Sequence, residues 1–186
     1  MANISTLPLG WRHADLPEIL AAGGWDFPRG RISEIVGARS AGRASLRDAL
    51  LAASTGRGET AALVDLRDTF DAPSAAAAGV ELSKLIWVRC GGRAEHALRA
   101  ADLLIQAGGF RVVALDLAEA AGRDLDQIPA TAWFRFRRAV QDTPVILAVV
   151  ADRPLAKSCA ARVVKLAPRR AVFTGSAPFL LLREAL

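Results

Sequence analysis

Apolar residues gather in five short, nearly unbroken runs, and stretches of helical periodicity separate them. Arg31–Val36 (RISEIV) is apolar at every second position or better and predicts a strand. Residues 60–66 (TAALVDL), 84–90 (KLIWVRC), 110–117 (FRVVALDL) and 143–152 (TPVILAVVAD) predict four more. Leu46, Ala49, Leu50 and Ala53 fall on one face of a helix over 44–55, with Gly56 near its end. Asp71 and Pro73 open a short helix that Gly79 stops. Ala94, Ala97, Leu98, Ala101, Leu104 and Ile105 form one stripe over 92–109, and Glu95 and Arg99 stand at the i,i+4 spacing that favours an ion pair. Another helix starts near Pro129 and gathers Trp133, Phe136 and Val140 on one face. Three shorter strand candidates follow in AARVVKLA, RRAVFTG and FLLLREAL, joined by turn residues such as Gly175 and Pro178.

Strands that are apolar throughout and alternate with helices imply a parallel sheet covered on both faces. The expected fold is therefore α/β in three layers, with the C-terminal candidates added as an antiparallel extension at one edge. No internal repeat and no long Gly/Ser linker divides the chain, so one core is expected over 28–186 behind a lead-in over 1–27. Trp11, Trp25 and Phe27 in that lead-in are expected to cover a sheet edge or to anchor an interface. The final FLLLREAL is apolar enough to pair with another strand or dock on another protein.

The 186 residues suffice for one core. No apolar run approaches the roughly 20 residues that cross a bilayer, and the N-terminus lacks a basic-then-apolar leader, so no membrane partner and a cytoplasmic location are expected. Cys90 and Cys159 lie far apart, and His13 and His96 have no companion at metal-binding spacing, so buried free thiols and no metal centre are expected. The net charge of +5 is compatible with nucleic acid or with an acidic protein partner.

Ligands of parallel α/β sheets bind at the carboxyl ends of the strands. Two features stand there. GARSAGRAS, residues 37–45, has the outline of the phosphate loop G-x-x-x-x-G-K-[ST], with Gly37 and Gly42 in place. Its lysine is Arg43 and its metal-binding hydroxyl is Ala44, while Ser45 falls one residue late, about 100° round the helix. A guanidinium is too large and planar for a lysine slot, and a methyl group cannot ligate Mg²⁺. The second feature is Asp116, closing the fourth run.

Three segments in order, FPRGRISEIVGARSAGRASLRDALLAA, ALVDLRDTFDAPSAAAAGVELSKLIWVRC and FRVVALDLAEA, resemble the RecA ATPase core. The likeness is ordered over roughly 28–120 and looser to about 166. The chain most resembles the short RecA-like proteins called ImuA, accessories of inducible, SOS-type translesion mutagenesis. The related SulA-type proteins, which block cell division, are the alternative. The resemblance implies a carboxylate at Asp116, a glutamate two residues after Asp65 that activates water, and an adenine-stacking aromatic near Ser74. Here the glutamate position holds Arg67, which accepts no proton at neutral pH, and Ser74 offers no face for stacking.

The expected site is thus a degenerate one formed by Gly37, Gly42, Arg43, Ala44, Ser45, Asp65, Arg67 and Asp116. No catalysis and no ATP or Mg²⁺ cofactor are expected of it, with weak ATP binding kept as an alternative. Arg43 or Arg67 is expected to pair with Asp65 or Asp116 within it. The filament-linking segment in front of the RecA core is expected to be missing or reduced, and the connections after the fourth and fifth strands are short. Function then falls to surfaces. By resemblance the partners are other mutagenesis-complex proteins: an inactive Y-family polymerase-like protein, RecA and a replicative-type polymerase. Arg153, Lys157, Arg162, Lys165, Arg169 and Arg170 form a cluster that would contact DNA or a partner. The arginines of WFRFRRAV are expected to lie over a core-packed helix, with a partner groove or base stacking as alternatives.

Overall fold

The five apolar runs lie side by side in one parallel sheet. The computed structural model describes residues 19–120 and 122–168, together with the short strands Val172–Phe173 and Leu181–Leu182. In chain order the elements are β1 (Ile19–Ala22), β2 (Trp25–Pro28), β3 (Arg31–Gly37), α1 (Arg43–Thr55), β4 (Thr60–Asp65), α2 (Ala72–Ala77), β5 (Leu85–Arg89) and α3 (Ala94–Ala107). There follow β6 (Phe110–Asp116), α4 (Gly122–Asp126), α5 (Ala130–Val140), β7 (Ile146–Ala151), β8 (Ala160–Leu166), β9 (Val172–Phe173) and β10 (Leu181–Leu182).

The sheet order is β5-β4-β6-β7-β3-β8, and every neighbour pair in it is parallel. Alternation of side chains along each strand builds two cores. Leu46, Leu50 and Leu51 of α1 pack one face, on Ile35, Leu63, Val112 and Ile146. The stripe of α3 and the aromatic face of α5 pack the other, on Ile32, Val113 and Leu147. Trp133 and Phe136 of α5 meet edge to face at 6.0 Å and are buried, so the apolar side of this helix is core, as its periodicity implied.

Two features differ from the sequence reading. The strand AARVVKLA was expected to run antiparallel at the edge, but β8 runs parallel to β3. Residues 152–159 carry the chain back across the face of β3 that α5 packs on, and Glu34 holds that crossing by accepting the N–H groups of Leu155 and Ala156 at 2.6 and 2.9 Å. Among the described residues of the tail, antiparallel pairing is that of β9 with β10, which form a small sheet of their own. The second difference is the β1–β2 hairpin in the lead-in. Gly23 and Gly24, with φ of 55° and 78°, make its turn, and Leu20 and Phe27 are fully buried on the α1 side. Trp25 packs half-buried beside them, so the hairpin covers α1 and the approach to β8; Trp11 lies outside the described residues. Both cysteines are free and buried.

Candidate functional site at the glycine loop

β3 ends at Gly37, and the chain turns through residues 38–42 into α1. The two glycines are needed for different reasons. Gly42 has φ 98°, a left-handed conformation that side-chain-bearing residues adopt only with strain. Gly37 is set by packing: a Cβ there would stand 2.6 Å from the carbonyl oxygen of Leu166 on β8. The N-terminus of α1 has no side-chain cap, and Ser40 also adopts positive φ, at 63°. A cleft of about 280 Å³ opens beside the loop, lined among others by Ala44, Ser45, Thr69 and Asp116. Ser45 thus reaches the same cleft as Ala44.

The carboxylates arrive from the sheet. β4 and β6 pair in register so that Asp65 and Asp116 stand side by side at their carboxyl ends, both buried. Their position along the alternation turns both toward the α1 face. Asp65 is used by its own turn: Oδ1 accepts the N–H of Arg67 at 3.2 Å and of Asp68 at 2.8 Å, and Oδ2 accepts Phe70 N–H at 2.9 Å and Trp87 Nε1 at 3.3 Å. Asp116 Oδ1 accepts Ala118 N–H at 2.9 Å, and its Oδ2 is held by Arg47 Nη1 in a short ion pair.

Arg47 is the residue that the sequence reading overlooked. It lies one helical turn beyond Arg43, 3% exposed, between two acids: Asp116, and Asp48 at 2.8–2.9 Å. Phe70 lies under its guanidinium at 5.3 Å, a cation–π contact. Burial alone would lower the arginine's pKa, but the charges of Asp116 and Asp48 and their hydrogen bonds outweigh it and push it up. Asp48 is left short. Burial pushes its carboxyl above the usual range, Arg47 only partly restores it, and Asp116 adds repulsion.

The expected pairing of Arg43 or Arg67 with Asp65 or Asp116 is therefore corrected. Arg43 is buried at the first position of α1, and its long side chain crosses the cleft instead of turning down to the strand ends. It donates to the carbonyl of Ala118 and pairs with Glu119, both at 3.2 Å, and exposed Arg39 approaches the same glutamate at 3.7 Å. Arg67 turns outward, packs over Gly92 and stands 3.7 Å from Asp124. Asp68 pairs with Arg89, whose hydrogen bond holds the carboxyl below its ordinary range. Ser74 bonds to Asp71. Chemically, the cleft presents guanidinium groups and backbone donors around one buried, already neutralised carboxylate. Among the described residues no group of three or more His, Cys, Asp or Glu converges as a metal site.

The basic cluster is less continuous than its sequence suggested. Arg153 is engaged by Asp126 at 2.6 Å and Asp152 at 3.4 Å, and Arg162 Nε donates to the carbonyl of Asp26 at 2.8 Å. Alternation puts Arg162 and Lys165 on opposite faces of β8. Lys157 and Lys165 are exposed, with no ion pair among the described residues, and Arg169 and Arg170 lie outside those residues. No helix among the described residues is long and apolar enough to cross a membrane.

Comparison with known proteins agrees with this architecture. The family model of the RecA N-terminal domain matches residues 2–124. Protein RecA of Lactobacillus delbrueckii subsp. bulgaricus is 37% identical over 114 residues, which cover 61% of this chain and 33% of the relative. Protein RecA of Treponema denticola is 34% identical over 116 residues, covering 62% and 27%. The chain thus spans only 27–33% of the length of these curated relatives. The crystal structure of the RadB recombinase has the same fold, with a TM-score of 0.59 over 77% of each chain at 14% identity. On the strength of the match over residues 2–124, this chain belongs to the RecA family.

Proposed function

We propose that this chain is a non-catalytic RecA-like protein of DNA repair, of the ImuA-like kind that accompanies translesion mutagenesis, and that it works through contacts with other proteins. The observation that carries this reading is Arg47 on Asp116. In a nucleotide-hydrolysing site of this architecture, a strand-end carboxylate serves a Mg²⁺ ion that bridges phosphate oxygens. Here a guanidinium sits on that carboxylate, hydrogen-bonded to two acids. A divalent ion would have to displace a buried, matched cation.

The remaining groups point the same way. Ala44 supplies no side-chain oxygen ligand, the Ser45 hydroxyl lines the cleft but one helical position on, and Arg43 spans the cleft to Ala118 and Glu119. The general-base position is the exposed guanidinium of Arg67. The residues present therefore do not fit a Mg²⁺-nucleotide. Direct DNA contact is a secondary part of the proposal and rests on Lys157 and Lys165.

Two measurements on the full chain test this. Equilibrium binding of a fluorescent ATP analogue, with and without Mg²⁺, should show no saturable Mg²⁺-dependent component. Affinity capture from DNA-damaged cells, read by mass spectrometry, should recover polymerase-type repair proteins. Recovery of a filament-forming GTPase of cell division in their place would favour the SulA-like alternative.

A further inference from the structure

A second, wider groove lies away from the glycine loop, on the face that α3 and α5 cover. It has a volume of about 730 Å³ and runs between the first half of α3, the α4 segment and the start of α5. Its apolar floor is Leu98, Ile128 and Ala132, of which the first two are only half-buried. Its rim is charged, and the pairing within that rim is uneven. Asp102 is matched by Arg135 at 3.3 Å, and Asp124 by Arg67 at 3.7 Å. Arg93, Arg99 and Glu95 have no ion pair among the described residues, so the i,i+4 partnership of Glu95 with Arg99 is not formed and the unpaired rim carries two positive charges against one negative.

The surplus of positive charge continues beyond the groove. Phe134 on the outer side of α5 is 49% exposed with Arg137 stacked on it at 5.3 Å, and Arg138 is exposed beside them. Leu103 on α3 is 59% exposed. A soluble helix pair ordinarily turns such residues inward. An apolar floor with unpaired arginines along its border is the complement of an amphipathic segment that carries acids beside its apolar face.

A nucleic acid strand fits this groove less well. Its phosphates repeat at fixed short intervals, so a strand lying here would pass over the unpaired Glu95, which lines the groove between Arg93 and Arg99. A peptide places its carboxylates one by one and keeps a neutral residue opposite that acid. We propose that this groove docks an acidic amphipathic helix of a partner protein, its apolar side chains on Leu98, Ile128 and Ala132 and its carboxylates on Arg93 and Arg99. The docking is independent of whether the glycine loop holds a nucleotide.

The test uses the full chain and a random peptide library with inserts of roughly 16 residues, about 24 Å of helix. Peptides selected on the immobilised wild-type chain are measured by fluorescence anisotropy against two variants. Thr131→Trp fills the groove from an exposed position without changing charge, and Arg93→Glu with Arg99→Glu reverses the rim. Circular dichroism checks that each variant folds, and the second serves if the first does not. The proposal expects selected sequences with Asp or Glu flanking apolar residues at helical spacing, and a loss of affinity of at least about tenfold on each variant. Sequences without an acidic bias, binding that both variants leave intact, or no enrichment at all would overturn it. So would a single-stranded oligonucleotide that binds the wild type, loses binding on the same variants and blocks the selected peptides.

Discussion

At the scale of residues, the site turns on one side chain whose partner is 69 positions away. Arg47 stands between Asp48 and Asp116 at 3% exposure. Removing one member of a buried ion pair leaves an uncompensated charge, so Arg47→Ala should cost about 3–5 kcal/mol in chemical denaturation. The two carboxylates would then face each other without a cation. Mg²⁺ or Mn²⁺ should therefore raise the melting temperature of Arg47→Ala and leave that of the wild type unchanged. Equal responses would mean that the guanidinium does not stand in the metal's place. Asp48 gives a second check. Its folded-state pKa is raised, so the group contributes stability below its ordinary value of 3.8 and loses it as pH rises through the raised value. Asp48→Asn stays neutral and keeps an acceptor for Arg47 Nε. The variant should gain on the wild type as pH is raised from about 3 to 7, and a difference flat in pH would contradict the assignment. The sequence showed both ends of this cluster but not the join. Asp116 was visible as the close of an apolar run, and Arg47 lay in plain sight one turn after Arg43. What pairs with what depends on side-chain reach across the cleft, which neither periodicity nor spacing encodes.

At the scale of elements, the buried strands and the α3 stripe were readable because each is fixed by a local period that its own packing then uses. β8 and the hairpin were not. The direction of β8 depends on where residues 152–159 travel, and that is decided by Glu34 catching the N–H groups of Leu155 and Ala156, contacts more than a hundred positions away. The hairpin's local signal is only the Gly23–Gly24 pair between two short apolar stretches, each too brief to show a period. The loop glycines separate two causes that the motif had merged. Gly37→Ala forces its Cβ onto the Leu166 carbonyl, and should cost about 1–3 kcal/mol and speed amide hydrogen exchange along β8. Gly42→Ala has open space around it and a φ of 98°, so its cost of about 1–2 kcal/mol is backbone strain and β8 exchange should not change. Equal exchange at β8 in the two variants would remove the packing explanation for Gly37.

At the scale of the whole molecule, the parallel sheet still brings a glycine loop and two acids to one edge, as its family does, while the charges at that edge satisfy one another. Arg47 meets Asp48 and Asp116, Arg43 meets Glu119, and Asp65 is consumed by its own turn. Unmatched charge lies elsewhere, on the arginines around the α3–α5 groove and on Lys157 and Lys165. This distribution, with charge matched at the glycine loop and free elsewhere, is what supports the proposal that the chain binds rather than turns over. The most direct measurement is phosphate release from Mg²⁺-ATP by the pure chain, with and without single-stranded DNA, beside Asp116→Ala. No release above the buffer blank is expected from either protein under either condition. Release by the wild type that Asp116→Ala abolishes would contradict it.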